Sequence, residues 1–399
     1  MRLVHGLAGV TLLVGSLTGQ QLAPVSRDDA RTAALTRGAR GVVARADTLG
    51  AAGVLHGARL YPNPSLSATY TKDTPHYHVI ADVPLDLPWL RSARIGAAGA
   101  ARDAARFRFA FERAAIRYDV DTTYTHALAA LAHADLSRRT ALAADSLLAM
   151  ARLRRSVGDV SELDVRLAEV NAGQLANAAA DDSLTSVATL LAVQLAMGLA
   201  ADSQTIVLTD TLAPPADSLP PAALAAEPLR VAAAAADLRS AERTVSLAHR
   251  NAFPAPSFQI GVEFGDPTQA GSLPTFGLAL PIPFFNRNGG EVAQAQAERL
   301  RATAELDLAR RAQDADLQTA QRVFTIARTR LARDRGLLAG ADQVAAMSLA
   351  AYREGAVPLA NVLEAQRVAR EALGRYVDDM AAAHDAADLL RLLTAVSAQ

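Results

Sequence analysis

Tyr61-Pro62-Asn63-Pro64-Ser65-Leu66 returns as Phe253-Pro254-Ala255-Pro256-Ser257-Phe258, with both prolines, the serine and the apolar flanks in the same places. The displacement is 192 residues at this motif and settles at 197 downstream, where Pro84 matches Pro281, Arg102 matches Arg299, Met150 matches Met347, Gly158 matches Gly355 and Val165 matches Val362. A period this long is not the 20 to 50 residues of a solenoid repeat and reads as one fold duplicated and fused, with five extra residues between Pro256 and Pro281.

Working outward from the Pro-x-Pro pairs, each half has the same order of segments. An Ala-, Leu- and Arg-rich helix (about 26–60 and 222–252) stops at the two prolines, which forbid its continuation. A strand pair follows: 65–71 with 77–85, and 258–264 with 275–282, each alternating with period two. Beyond Pro88 and Pro283 the texture changes to proline-free runs of Ala, Leu, Arg, Asp and Gln over about 91–156 and 290–353. Sixty-odd helical residues make a rod of about 100 Å, far too long for a compact core. Leu317, Phe324, Leu331 and Leu338 recur every seven residues with Ala320, Ala327 and Ala341 between them, a seam built for close helix packing. Each rod breaks at a glycine, Gly158 or Gly355, and a second long helix returns over 161–197 or 358–395. The expected organisation is an apolar leader over 1–22, a first structural repeat over 23–198, a Pro-rich linker over 199–228 and a second repeat over 229–399. The fold class is mainly α with a small β part: duplicated long helical hairpins and four strands per chain.

Four strands with apolar outer faces are not satisfied alone. By alternation along each strand, Leu66, Ala68, Tyr70, Tyr77, Val79, Ile260, Val262, Phe276, Leu278 and Leu280 would face lipid, while Ser67, Thr69, Gln259, Glu263 and Gly277 would face a polar lumen. Eight to ten residues per strand suit a tilted membrane crossing. In a bilayer every backbone group must be paired, so such strands close into a barrel; with four per chain, several copies have to contribute. Trp89 and the Phe284-Phe285 pair follow the second and fourth strands at nearly equivalent places, as an interfacial aromatic belt would.

Composition narrows the function. Lys plus Arg (40) cancel Asp plus Glu (41), so there is no basic field for nucleic acid. Cysteine is absent, which removes disulfides, thiolate metal sites and Cys nucleophiles. Met1-Arg2 followed by the apolar run 7–17 and a small polar stretch has the form of a secretory signal, with no Ala-x-Ala site marking the cut. No GxSxG, HExxH, P-loop or Rossmann glycine pattern occurs, so no catalytic residue and no cofactor is expected. His76 with His78, and His126 with His133, are spaced to share a face, yet each pair lacks a third ligand nearby, and no metal site is assigned.

The Pro-x-Pro strand starts, the duplicated strand pair plus hairpin, and Leu280-Pro281-Ile282-Pro283-Phe284-Phe285-Asn286-Arg287-Asn288-Gly289-Gly290 before an Ala-rich helix together resemble the TolC-like outer-membrane efflux proteins, in particular their cobalt, zinc and cadmium branch. The resemblance covers about residues 26–396. It implies a homotrimer whose strands form a 12-stranded transmembrane β-barrel in outer-membrane lipid and whose hairpins form an α-barrel tunnel reaching into the periplasm. It also implies a passive exit duct for metal cations or small molecules, served by a periplasmic membrane-fusion adaptor and an inner-membrane efflux pump of the RND type. A duct for drugs or secreted protein is the near alternative, and a soluble periplasmic coiled-coil scaffold the alternative of another class.

By the same resemblance the glycine breaks are the periplasmic tip. Val157, Gly158, Gly355 and Val357 would meet the adaptor, Tyr352 and Asp164 would share a closing hydrogen bond, and Glu364 would line the entrance with an acidic ring. Asn361 stands where a drug exporter of the family has a second acidic residue, and Val357 where it has an arginine link. The two halves differ most here: Arg155 is opposite Tyr352 in the repeat, Asp164 opposite Asn361, and Leu167 opposite Glu364.

Overall fold

The computed structural model describes residues 23–200, 206–215, 227–253, 255–268 and 271–396; the leader expected at 1–22 lies outside them. The elements run β1 (Ala23–Val25), α1 (Arg27–Thr36), α2 (Ala39–Arg59), β2 (Ser65–Tyr70), β3 (Tyr77–Pro84), α3 (Pro88–Ser156), α4 (Glu162–Ala196), β4 (Ile206–Leu208), α5 (Leu229–Arg250), β5 (Ser257–Phe264), β6 (Leu273–Ala279), α6 (Gly289–Arg353) and α7 (Leu359–Leu393). At 69 and 65 residues, α3 and α6 are unbroken rods about 100 Å long. No helix among the described residues is long and apolar enough to cross a membrane.

The five extra residues of the second half are spread through its strand pair. Strand β5 is two residues longer than β2, the turn before β6 is two residues longer than that before β3, and one more residue precedes Pro281.

Two expectations need correction. The first helix is not continuous over 26–60 but breaks at Arg37-Gly38, where Gly38 is extended (φ −61°, ψ 137°) and caps α2. A Cβ on Gly38 would lie 2.4 Å from the Ala34 carbonyl oxygen, so only glycine turns this corner. Gly198, at φ +75°, packs its α-carbon against the same corner, 2.8 Å from Arg37 O when a Cβ is built on it. The segment 199–228 is also more than a linker, because β4 pairs in parallel with β1, Ala23 opposite Ile206 through Val25 opposite Leu208. Three-residue strands carry no periodicity to read, which is why both escaped notice.

This two-stranded sheet roofs a core of Val25, Ala33, Ile116, Val120, Tyr124, Val193 and Ile206. Tyr124 is fully buried, and its hydroxyl lies within hydrogen-bonding distance of two acceptors, Val25 O (2.9 Å) and Asp210 Oδ2 (2.8 Å). Arg31 grips buried Asp121 with two hydrogen bonds of 2.6 and 2.8 Å. Val25 and Arg31 are thereby fastened to the middle of α3. The heptad seam forms as expected between α6 and α7: Ala320 and Phe324 pack with Ala386, Ala387 and Leu390, and Ala327 and Leu331 with Met380 and Ala383. Alanine at these positions lets the rods approach closely along their length.

Candidate functional site

Two regions carry the sequence-predicted residues: a four-stranded sheet at one end of the rods and the two glycine turns at the other. The sheet runs β2-β3-β5-β6, antiparallel throughout. Its register puts Leu66, Ala68 and Tyr70 beside Ala81, Val79 and Tyr77, these beside Ile260, Val262 and Phe264, and Phe258 and Ile260 beside Leu278 and Phe276. The lipid and lumen assignments made from parity therefore fall on two real faces.

The apolar face is the exposed one: Leu66 is 74% exposed, Phe276 68% and Leu278 66%. On the other face Gln259, Glu263 and Thr275 are half-buried, and His78 lies 3.2 Å from Glu263. In β5 and β6 the polar side is thus more covered than the apolar one, the inverse of a soluble protein, while in β2 Ser67 and Thr69 are exposed along with Leu66, Ala68 and Tyr70. The strands β2 and β6 are free edges within the chain, with unpaired backbone groups along both sides of the sheet.

Aromatic rings mark both ends of the strands. Trp89, Phe284 and Phe285 are strongly exposed where the strands meet the rods, and Arg250 donates to the Trp89 carbonyl (2.6 Å). The far end has its own set, missed in the sequence because its members lie on three strands: Tyr70 and Tyr77 are 5.3 Å apart, Tyr77 and Phe264 5.3 Å. The eight residues of β5 between the two sets span about 26 Å, the height of a hydrocarbon core.

At the other end both rods stop in the same way. Gly158 (φ +82°) and Gly355 (φ +75°) adopt the left-handed conformation, and each turn closes with paired bonds. Asp159 N donates to Arg154 O and Gly158 N to Arg155 O; Ala356 N donates to Ala351 O and Gly355 N to Tyr352 O. This is a Schellman cap at each tip, and it explains both glycines. Val157 beside it is 73% exposed, and Val357 is half-buried against the tip core of Leu147, Ala151, Ala168, Tyr352, Leu359 and Val362.

Tyr352 and Asp164 do not form the expected bond. Tyr352 is 2% exposed, and its hydroxyl is buried without a hydrogen-bond partner; burial raises its pKa. Asp164 sits at the third position of α4 in a capping box, its Oδ2 accepting from Ser161 N (3.1 Å) and Ser161 Oγ (2.8 Å). What holds Tyr352 is Arg154, a residue the sequence reading passed over. Its Nη1 donates to Tyr352 O at 2.7 Å, its guanidinium carbon lies 4.8 Å from the Tyr352 ring centroid, and its Nε donates to Asp159 at 2.7 Å.

Glu364 is exposed on α7, and Asn361 is exposed one turn earlier. Glu364 is clamped by Arg367 through two hydrogen bonds of 2.9 and 2.6 Å, which hold its pKa below the ordinary carboxylate range. Arg367 also binds Glu371 at 2.5 Å, so the acidic position carries its own counter-charge. The i,i+3 and i,i+4 spacing of Glu364, Arg367 and Glu371 was readable but not weighed. The histidines are likewise paired, His126 with Asp385 and His133 with Asp378, both at 2.8 Å. Among the described residues no group of three or more His, Asp and Glu could hold a metal ion.

The crystal structure of the Campylobacter jejuni CmeC outer membrane channel matches with a TM-score of 0.77 at 14% identity over 92% of this chain and 85% of that one. The Vibrio cholerae outer membrane protein VceC matches at 0.75 and 15% identity over 92% of this chain and 95% of its own. The chain has the fold of these outer-membrane channels over nearly its whole length. In sequence it is 27% identical over 342 residues to the cobalt-zinc-cadmium resistance protein CzcC of Cupriavidus metallidurans, covering 83% of this chain and 80% of that one. No protein-family model matches the chain.

Proposed function

We propose that the chain is one third of a passive exit duct in the bacterial outer membrane, completing an efflux machine that removes metal cations. One observation carries this reading above the others: an inverted sheet with two free edges stands on rods about 100 Å long. Edge β2 of one copy pairs with edge β6 of the next, and three copies supply the twelve strands that close a barrel. The same threefold operation sets six hairpins around one axis as a tunnel across the periplasm.

Likeness to CzcC along four-fifths of both chains supports a cation cargo and a place on the cobalt, zinc and cadmium branch. A periplasmic adaptor would dock at the Val157-Gly158 and Gly355-Val357 tips, and an inner-membrane pump of the RND type would supply the driving force. Residues 1–22 would serve as the export signal. The duct itself selects weakly, since its charged entrance residues are already paired within the chain.

The test is fractionation of expressing cells followed by denaturing gels of heated and unheated samples. The reading expects an outer-membrane species that migrates as a trimer until heated. A soluble periplasmic monomer would sink it in favour of a coiled-coil scaffold.

A further inference from the structure

The two tips share a backbone plan but not their side chains, and three of the differences meet at Arg154. At a displacement of 197, Arg154 is opposite Ala351 and Asp159 opposite Ala356, while Tyr352 is opposite Arg155. The first hairpin therefore carries a guanidinium with a carboxylate to aim it, and the second carries an aromatic ring and a carbonyl to receive it. We propose that Arg154 is the positioning residue that clasps the first hairpin to the second at the tunnel entrance and holds the duct closed. This rests on the exit-duct reading above.

Four observations converge on it. Arg154 is the C3 residue of the α3 cap, so its side chain starts from a turn fixed by two backbone hydrogen bonds. Asp159, beyond the turn, takes Nε at 2.7 Å and Nη2 at 2.6 Å, which orients the guanidinium plane. The remaining terminal nitrogen, Nη1, crosses to the other hairpin and reaches Tyr352 O, a carbonyl in the last turn of α6. The guanidinium also covers the Tyr352 ring, and its side chain is only 17% exposed. A cation here lies at the C-terminal ends of both rods, where the helix dipoles favour it. The guanidinium also lies against the second turn: a Cβ built on Gly355 would be in ordinary contact with Arg154 Nη2, at 3.5 Å.

The Tyr352 hydroxyl takes no part, since it is buried without a partner. The clasp runs through the ring and the main chain of Tyr352, and Asp164 remains in its cap. Hairpin movement at the entrance then has to break a charge-assisted hydrogen bond and a cation–π contact in each of three copies.

Lysine cannot replace this group. Its ammonium is a point charge without the planar fork, and it cannot meet Asp159 Oδ2 with two nitrogens, reach Tyr352 O and cover the ring together. The experiment compares purified trimers in planar bilayers as wild type, Arg154→Ala, Arg154→Lys and Arg155→Ala. Arg155 is an exposed neighbour whose nearest acidic partner, Glu162, is 3.6 Å away, so its removal deletes the same charge without touching the clasp.

Arg154→Ala is expected to shift the open-to-closed ratio roughly tenfold toward open, the scale of one lost charge-assisted hydrogen bond. Arg154→Lys should fail to restore closure, and Arg155→Ala should conduct as wild type. Hydrogen exchange at the Gly355 and Ala356 amides should quicken in Arg154→Ala and not in Arg155→Ala. If Arg154→Ala proves unable to trimerise, Asp159→Asn gives the same direction with a smaller effect. Wild-type-like conductance of Arg154→Ala, or full rescue by lysine, overturns the clasp. A wild-type chain that forms no channel overturns the duct reading instead, and the exchange measurement then still decides whether Arg154 holds the tips together.

Discussion

The rods α3 and α6 come from one plan and the fold uses them differently. Helix α3 packs against α1, α2, α4, α5 and α7, whereas the main neighbours of α6 are α5 and α7 alone. Seventeen residues of α3 are buried against nine of α6, although the two differ in length by only four. Along α6, Leu300, Leu308, Val323, Ile326, Leu337, Val344 and Met347 remain exposed. Two rods with one pattern suit similar surroundings, so the proposed duct places a further copy against the bare flank of α6. The sheet repeats the lesson, with β3 and β5 paired on both sides and β2 and β6 on one. A single chain is a wedge with its middle finished and both sides open.

The largest break in this comparison comes at the apolar face of the sheet. Val262→Arg places a charge on the face that the exit-duct reading turns to lipid, where a midplane arginine costs about 2–4 kcal/mol per copy. Loss of the heat-sensitive trimer on unheated gels is expected, while Gln259→Arg on the opposite face leaves it intact. Next in size is the bare flank of α6. Ile326→Asp changes a residue that is 53% exposed in one chain, and a true surface site would tolerate it within about 0.5 kcal/mol. The open-wedge account expects a melting temperature lowered by several degrees, read by circular dichroism on the trimer.

A smaller effect sharpens the comparison at the α6–α7 seam. Asp379 faces Asp334 across it with Asp378 and Arg330 nearby, and burial together with the Asp334 carboxyl pushes its pKa up to about 6. The ordinary value is 3.8, so the folded state holds the proton more tightly than the unfolded one. That stabilisation is complete below about pH 4 and is lost as pH rises through 6. Asp379→Asn should therefore melt higher than wild type at pH 7.5 and show a flatter dependence between pH 5 and pH 7.5. Smallest is Glu364→Gln: because Arg367 already pairs with both Glu364 and Glu371, cation preference measured from reversal potentials in a salt gradient should fall only slightly.

The architecture was legible because its signals are periodic and long. Proline-free runs of sixty residues, strands of alternating parity and a displacement of 197 need no tertiary knowledge. The break at Gly38 was hidden because Leu35, Arg37, Ala39 and Arg40 beside it are good helix formers, and what reserves the corner for glycine is a carbonyl 2.4 Å from where a Cβ would lie. The tip was half legible. Gly158 and Gly355 announced the turns, but Arg154 is one of many arginines in α3, and its partner lies 198 positions away. Tyr352 drew attention for its hydroxyl, whereas burial leaves that hydroxyl idle and puts the ring and carbonyl to use.

The most direct test of the exit-duct account uses the absence of native cysteine, which makes any introduced thiol unique. Single cysteines placed in turn at 257 through 264 along β5 would be probed in reconstituted membranes with a charged aqueous thiol reagent and with a lipid-confined quencher of a thiol-bound fluorophore. The account predicts strict alternation: Ser257, Gln259, Gly261 and Glu263 positions react with the aqueous reagent, and Phe258, Ile260, Val262 and Phe264 positions are quenched from lipid. Uniform aqueous reactivity along the strand, with no lipid quenching at any position, would contradict it.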